Sequence, residues 1–313
     1  MTNLSAPNHG AWGIILAGGD GTRLRPLTVN IEGDQRPKQF CRVLGTQSLF
    51  AETRRRMAPL FDRTRIVAVV TKKHEAYYQN QLATMPDTAL LVQPLNRGTG
   101  VAIASAILML RELDDDAVAA FFPSDHYYGN EPAFLRAVHT GLQVARENPD
   151  MLVLLGATPA HSETGYGWIE TEPLAAPPSN SVPARVRHFW EKPDLPSVQK
   201  LLRLGCLWNT SVTIGRVSAF IKVLCAAVPK TVLSLSLGTM DGDLSASYRA
   251  VLPVHFSRDV LASQPEHLLV IRDAASRWTD LGSPSRVLET IACEGLAPHW
   301  LERVGSLYLP LAG

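Results

Sequence analysis

A strand-like run, Trp12–Ala17, leads straight into Gly18-Gly19-Asp20-Gly21-Thr22-Arg23. Glycine at three of these positions lets the backbone approach a ligand closely and aim successive N–H groups at it. Amides so placed suit phosphate oxygens, and Arg23 adds a planar, bidentate cation. The turn is not a P-loop, because no Gly-Lys-Ser/Thr follows at the required spacing. Nor is it a dinucleotide fingerprint, since Leu24 occupies the place of the third glycine. The competing reading is a plain glycine turn after a strand.

Such a turn works only if secondary structure delivers it to a ligand. Ile66–Thr71, Ala89–Gln93, Ala117–Phe122 and Leu152–Ala157 read as further buried strands. Thr46–Met57, His74–Thr84, Gly98–Leu113 and Glu131–Glu147 have helical spacing. Alternation of this kind predicts βαβ units: an α/β, Rossmann-like, mostly parallel sheet with helices on both faces. After residue 158 shorter strands appear at Trp168–Thr171, Val186–Trp190 and Ser211–Ile214, around a proline-rich loop at Pro173–Pro183. They predict a smaller β extension that builds a pocket or lid over the sheet's carboxyl edge. Helices at Val217–Ala227 and from Pro284 to about Cys293, and a strand at Leu268–Arg272, complete the reading, with only a tail expected beyond.

The chain has 313 residues, enough for one large domain or a core with an appendage. Thirty basic against twenty-nine acidic side chains exclude a general electrostatic attraction to nucleic acid or anionic membranes. Anionic ligands must therefore be held by local devices. Cys41, Cys206, Cys225 and Cys293 lack metal-like spacing and read as reduced thiols. Asn3, Pro7, Asn8 and His9 interrupt any leader-like pattern, and apolar runs such as Val101–Leu110 are too short to span a bilayer. The expectation is a cytoplasmic protein that engages neither membrane nor nucleic acid. The nine histidines show no His-x-x-x-His spacing, and no Ser-His-Asp or Cys-His arrangement suggests a hydrolase.

Beyond the loop, Arg36-Pro37-Lys38-Gln39-Phe40, Gln93-Pro94-Leu95-Asn96-Arg97-Gly98-Thr99 and Phe122-Pro123-Ser124-Asp125-His126 follow in order. So do Gly165-Tyr166-Gly167-Trp168-Ile169-Glu170, Trp190-Glu191-Lys192-Pro193, Leu207-Trp208-Asn209-Thr210 and Trp278-Thr279-Asp280-Leu281-Gly282-Ser283. In this set and order the chain resembles the sugar-phosphate nucleotidyltransferases, and among them most the mannose-1-phosphate guanylyltransferases. The resemblance covers residues 12 to about 290. It implies a GT-A-like nucleotidyltransferase fold with a catalytic domain over 12–290. Residues 12–158 would form the nucleotide half, 159–290 the sugar-phosphate half and 291–313 a C-terminal tail.

The implied reaction joins GTP and mannose 1-phosphate into GDP-mannose and pyrophosphate by in-line attack on the α-phosphorus. Positioning and charge stabilisation dominate such chemistry, and two polyanions must be brought together. The resemblance gives Leu16, Ala17, Gly18, Gly19, Gly21, Thr22 and Arg23 to nucleotide binding, with Arg23 and the loop amides on the β- and γ-phosphates, and Lys38 to charge building on the α-phosphate. Asp125 follows a strand at its carboxyl end, where open α/β sheets bind ligands. With Asp280 it is expected to hold Mg²⁺, a hard cation that prefers carboxylate and phosphate oxygens. A capping or turn aspartate is the plainer use of either residue. Gln93 offers an amide to a guanine edge, with Gly98 and Thr99 near base or ribose. Gly167, Glu191, Lys192 and Asn209 are expected around the sugar phosphate, and His126 in a supporting role beside the metal aspartate.

Asn209-Thr210-Ser211 stands where relatives more often carry Asn-Ser-Gly, and Cys41–Thr46 departs from the usual hydrophobic-Gly-Lys pattern. No cupin-like isomerase domain or left-handed β-helix follows, so a second, isomerase activity is not expected. Two alternatives stay open: the same chemistry with UTP or dTTP and glucose 1-phosphate, and a non-catalytic sugar-nucleotide sensor. A homodimer is possible on either reading.

Overall fold

The computed structural model describes residues 10–85, 88–173, 182–240 and 244–304; most of the expected proline loop falls outside these. The first half runs β1 (Ala11–Leu16), α1 (Arg25–Glu32), α2 (Leu49–Met57), β2 (Ile66–Thr71), α3 (Glu75–Leu82), β3 (Ala89–Gln93), α4 (Gly98–Leu113), β4 (Val118–Pro123), β5 (Tyr127–Tyr128), α5 (Glu131–Glu147) and β6 (Leu152–Ala157). The second half runs β7 (Gly167–Thr171), β8 (Ala184–Glu191), α6 (Leu195–Arg203), β9 (Leu207–Arg216), α7 (Val217–Ala227), α8 (Pro229–Met240), α9 (Leu244–Ala250), β10 (Leu268–Asp273), β11 (Trp278–Thr279), α10 (Pro284–Glu294) and α11 (Leu301–Val304).

Nine strands form one sheet in the order β3-β2-β1-β4-β9-β6-β10-β8-β7. The pairings among β3, β2, β1 and β4 are parallel. Parallel sheets need cover on both faces, and β2 (Ile-Val-Ala-Val-Val-Thr) is buried at every position. Its pleat divides it between two cores. Ile66, Ala68 and Val70 pack with Phe50, Met57, Tyr78 and Phe134 from α2, α3 and α5. Val67 and Val69 pack with Val101, Ile107, Phe220 and Tyr248 from α4, α7 and α9. The α/β fold with helices on both faces is thus present.

The β extension joins this sheet through β9, which runs antiparallel between β4 and β6. β10 continues parallel to β6, and β8 and β7 follow antiparallel. β7 then returns to pair with β9, matching Trp168 to Trp208 and Ile169 to Leu207. Strands β9, β6, β10, β8 and β7 therefore close a circuit. The extension curls into a cup.

Five helices among the described residues, α1, α6, α8, α9 and α11, are absent from the sequence reading. α6 carries a clear start signal, since Asp194 caps it by accepting from the Ser197 amide at 3.0 Å and proline fills the first turn. α8 and α9 pack against the α4 side, with Val232, Leu235 and Tyr248 in that core. The segment after α10 is not a bare tail either. Trp300 is fully buried beside Val43 and Val287 in a third core formed by α1, α10 and α11. Its indole Nε1 donates to the Val43 carbonyl at 2.9 Å.

Trp300→Ala should therefore destabilise the protein by about 3–5 kcal/mol, the usual cost of emptying a large buried aromatic site. Urea unfolding reads this directly. An unchanged midpoint would mean that the segment does not help hold the domain together.

Candidate active site

The glycine loop leaves β1 with its polarity arranged from beneath. Buried Gln39 donates through Nε2 to the carbonyls of Ala17 (3.0 Å) and Gly19 (2.7 Å). Thr71, at the end of β2, donates to the intervening Gly18 carbonyl at 2.9 Å. Three successive carbonyls are thereby turned toward protein donors. The amides of Gly18, Gly19, Asp20 and Gly21 make no hydrogen bond among the described residues. Ala17 is the exception, because its N–H completes the sheet by donating to Val69 at 2.8 Å. Gly21 has φ +59°, and a Cβ there would stand 2.9 Å from the Lys38 amide, so glycine is required.

Lys38 opens a short helical turn, Lys38–Phe40, pressed against that loop. Its ammonium is buried yet fully engaged. It donates to the backbone carbonyls of Asp280 (2.7 Å) and Leu281 (3.2 Å) and pairs with Asp125 Oδ2 at 3.1 Å. Asp125 follows β4, in a turn fixed to β1 by the Ser124 amide donating to Leu16 at 3.3 Å. Burial alone would raise its carboxyl, but the Lys38 ammonium and the neighbouring His126 together hold it below the usual carboxylate range.

Asp280 reaches the same point from β11. Three donors converge on its Oδ1: the Tyr166 hydroxyl (3.0 Å), the Gly282 amide (2.8 Å) and Arg286 (2.5 Å). Oδ2 is left without a partner among the described residues. Oδ1 of Asp125 is similarly unbonded, 3.9 Å from His126 Nε2. Among the described residues no group of three or more His, Cys, Asp or Glu forms a metal nest. Mg²⁺ does not need one, since it is commonly held by one or two carboxylates together with water and substrate phosphates. Two carboxylates, each with a spare oxygen, fit that ion.

Two cavities meet at Asp125. One, of about 390 Å³, is lined by Leu16, Gly18, Gly19, Gln93, Gly98, Thr99, Asp125 and His126, among others. The other, of about 250 Å³, is lined by Gly21, Thr22, Arg23, Leu24, Lys38, Asp125 and Gly282. Every anticipated nucleotide residue except Ala17 lines one of them, and Ala17 is core. Arg23 is exposed and forms no ion pair among the described residues. Gln93 ends β3 with its amide held at both ends, Nε2 3.5 Å from the Val70 carbonyl and Oε1 accepting from Tyr248 at 3.4 Å.

The four anticipated sugar residues gather on the cup but line neither cavity. Gly167 lies opposite Glu191 in the β7–β8 register. A Cβ on Gly167 would come 3.3 Å from the Cβ of buried Asn209. Lys192 has φ +47°, donates its amide to Tyr166 and extends an exposed ammonium 3.5 Å from Glu191. Tyr166 thus connects this group to Asp280.

Arg286 and Glu163 were not singled out beforehand. Arg286, at the start of α10, bridges Asp280 and Glu163, the latter at 2.6 Å, and lies 4.8 Å from the Tyr166 ring centre. Its position six residues after Asp280 is a weak sequence signal. His126 accepts from the Trp278 indole at Nδ1 (3.1 Å), so its proton sits on Nε2, facing Asp125.

A doubly covered α/β sheet thus carries free loop amides, a buried lysine and two carboxylates at its carboxyl edge, groups suited to phosphate. A family model described as nucleotidyl transferase matches residues 12–293, and the chain belongs to that family. It is 30% identical over 297 residues to the xanthan biosynthesis protein XanB of Xanthomonas campestris pv. campestris, covering 90% of this chain and 60% of that protein. It is 27% identical over 290 residues to a mannose-1-phosphate guanylyltransferase of Klebsiella pneumoniae, covering 88% of this chain and 59% of that one. The chain thus spans about three fifths of the length of these relatives. A crystal structure described as a mannose-1-phosphate geranyltransferase from Thermus thermophilus superposes with TM-score 0.77 at 26% identity, covering 89% of this chain and 79% of that one.

Gln39→Leu should remove the donor shared by two loop carbonyls, one of them buried. Stability should fall by about 1–3 kcal/mol, the cost of a buried unpaired carbonyl. Chemical denaturation measures it, and a loss within error of zero would show that the carbonyls are satisfied without Gln39.

Proposed function

We propose that the protein is a GTP:mannose-1-phosphate guanylyltransferase that uses Mg²⁺. The carrying observation is the run of four unbonded loop amides beside two cavities that meet at Asp125, one walled by Gly18 and Gly19 and the other by Gly21 and Lys38. An anion with several phosphates satisfies both at once, and a lone sugar would satisfy neither. The choice of GTP and mannose 1-phosphate rests on the likeness to a relative of that name and on the Arg-Pro-Lys-Gln-Phe and Pro-Ser-Asp-His blocks.

In this reading the loop amides and Arg23 hold the β- and γ-phosphates. The base enters the larger cavity, where the Gln93 amide meets its edge, with Gly98 and Thr99 alongside. Glu191 accepts from sugar hydroxyls, Gly167 and Asn209 shape the cup beside it, and Lys192 swings from Glu191 to the sugar phosphate. An oxygen of that phosphate attacks the α-phosphorus. The bond to the bridging oxygen breaks on the opposite side, and pyrophosphate departs with the electron pair. Lys38 is held by two carbonyls so that its charge meets the α-phosphate without reorganisation. Members of this family generally use a divalent metal; Asp125 and Asp280 would hold it through their spare oxygens, where it would neutralise phosphate charge.

Lys38→Ala should lower kcat by about 100-fold, the scale of one preorganised donor, with nucleotide affinity little changed. A rise in nucleotide KM alone would make Lys38 a simple binding residue. Asp125→Asn should abolish most turnover while leaving the unfolding midpoint near wild type, and chelation should do the same to the unmodified enzyme. Wild-type rates for Asp125→Asn at limiting Mg²⁺ would remove it from the metal site.

With mannose 1-phosphate, GTP should exceed ATP, UTP and dTTP by at least about 10-fold in kcat/KM, the penalty for leaving a buried donor unpaired. Gln93→Ala should narrow that gap more than it lowers the maximal rate. Pyrophosphate release across four nucleotides and three sugar 1-phosphates measures both. Equal or faster turnover with UTP or dTTP would keep the reaction class and discard the guanylyl reading.

A further inference from the structure

The glycine loop contains a residue that opposes its apparent task. Asp20 sets a carboxylate between Gly19 and Gly21, beside amides positioned to receive a polyanion. Three donors from two neighbouring loops meet that carboxylate. Lys73 Nζ and His74 Nε2 lie 3.2 and 3.1 Å from Oδ1, and Asn96 donates to Oδ2 at 3.3 Å.

The placement of these donors is specific. Asp20 follows β1, Lys73 and His74 follow β2, and Asn96 follows β3, three adjacent parallel strands. One carboxylate therefore laces the three loops at their carboxyl ends. Each strand of the lace is anchored further. Asn96 accepts from the Gly98 amide at 3.0 Å, at the start of α4. His74 is buried and meets the ring of Phe40 edge-on at 6.3 Å, in the same turn as Lys38. Lys73 is largely exposed, and among the described residues its ammonium pairs with Asp20. Against burial, which would raise it, Lys73 and His74 hold the Asp20 carboxyl below its usual value.

We propose that Asp20 is a positioning residue, a charged strut that fixes the glycine loop to the β2 and β3 loops so that its free amides stand ready for nucleotide phosphates. The strut rests on the reading of that loop as the triphosphate site. It fits the contacts on Gly19 and Gly18: Gln39 and Thr71 hold the loop's carbonyls from below, and Asp20 holds its outer side. With its charge met by Lys73 and His74, the carboxylate does not confront the phosphates unscreened. A loop that needs no ordering on binding loses less entropy when nucleotide arrives.

Two measurements on the intact protein test this. Amide hydrogen exchange of Ala17 and Leu24, whose N–H groups bond Val69 and Gly21 where the loop begins and ends, needs no substrate, and steady-state kinetics with GTP and mannose 1-phosphate separate KM from kcat. Asp20→Ala should speed loop exchange and raise the GTP KM by about 10-fold each, equivalent to about 1.4 kcal/mol, while kcat stays within about twofold. Asp20→Asn keeps one acceptor oxygen and should recover part of the loss. Lys73→Ala should have a smaller effect and add nothing in the Asp20→Ala background, because its role runs through Asp20. Unchanged loop exchange, or tighter GTP binding on neutralising Asp20, would overturn the strut and leave a merely repulsive charge. If exchange quickens while the wild-type protein fails to use GTP, the strut stands and the GTP reading falls.

Discussion

The site depends on the direction in which one stretch of backbone points its dipoles. A peptide chain leaving a strand presents N–H and C=O groups alternately, and a polyanion tolerates only the former. Here the carbonyls of Ala17, Gly18 and Gly19 are claimed from within by Gln39 and Thr71. Buried carbonyls demand partners in any case, and meeting that demand leaves four consecutive amides unclaimed. The charged groups then have a fixed frame: Lys38 lies against the Gly21 turn, and Asp125 lies against Lys38.

That frame is possible because the strands that end there are parallel and buried on both faces. β1, β2 and β4 deliver the loop, Thr71 and Asp125 to one edge, while helices on both sides exclude water from the sheet itself. The side chains proposed for the sugar phosphate arrive from a different construction. β7, β8 and β9 bring Gly167, Glu191 and Asn209 together by antiparallel register, and Tyr166 connects them to Asp280. The two halves meet where the carboxylates are.

Much of this was legible in the sequence, for identifiable reasons. The glycine loop, and helix α4 with its Gly98 start, stand out because unusual backbone needs and long apolar periodicity leave strong marks on residue choice. The order of the short blocks carried the family. Gln39 was read only as part of a block, because a side chain that bonds backbone carbonyls leaves no spacing rule behind. Arg286 and Glu163 escaped for the same reason: their partners are distant in sequence, and an arginine or glutamate alone predicts only an exposed surface. α8 was missed because Thr231, Ser234 and Ser236 dilute its apolar pattern, and tertiary packing of Val232 and Leu235 decides the matter. Trp300 lies beyond the last block, and nothing local distinguishes a buried tryptophan from an exposed one.

The closed circuit of β9, β6, β10, β8 and β7 gives the two halves different mechanical characters. An open sheet can be peeled from an edge one ladder at a time, but a closed one offers no starting point, since each strand is held on both sides. Among the described residues the margin that stays open is β3, a five-residue strand whose first two positions are exposed. Fraying of the sheet must therefore begin on the β3 side, next to Gln93, while the cup that carries Gly167, Glu191 and Asn209 keeps its shape until the domain opens as a whole.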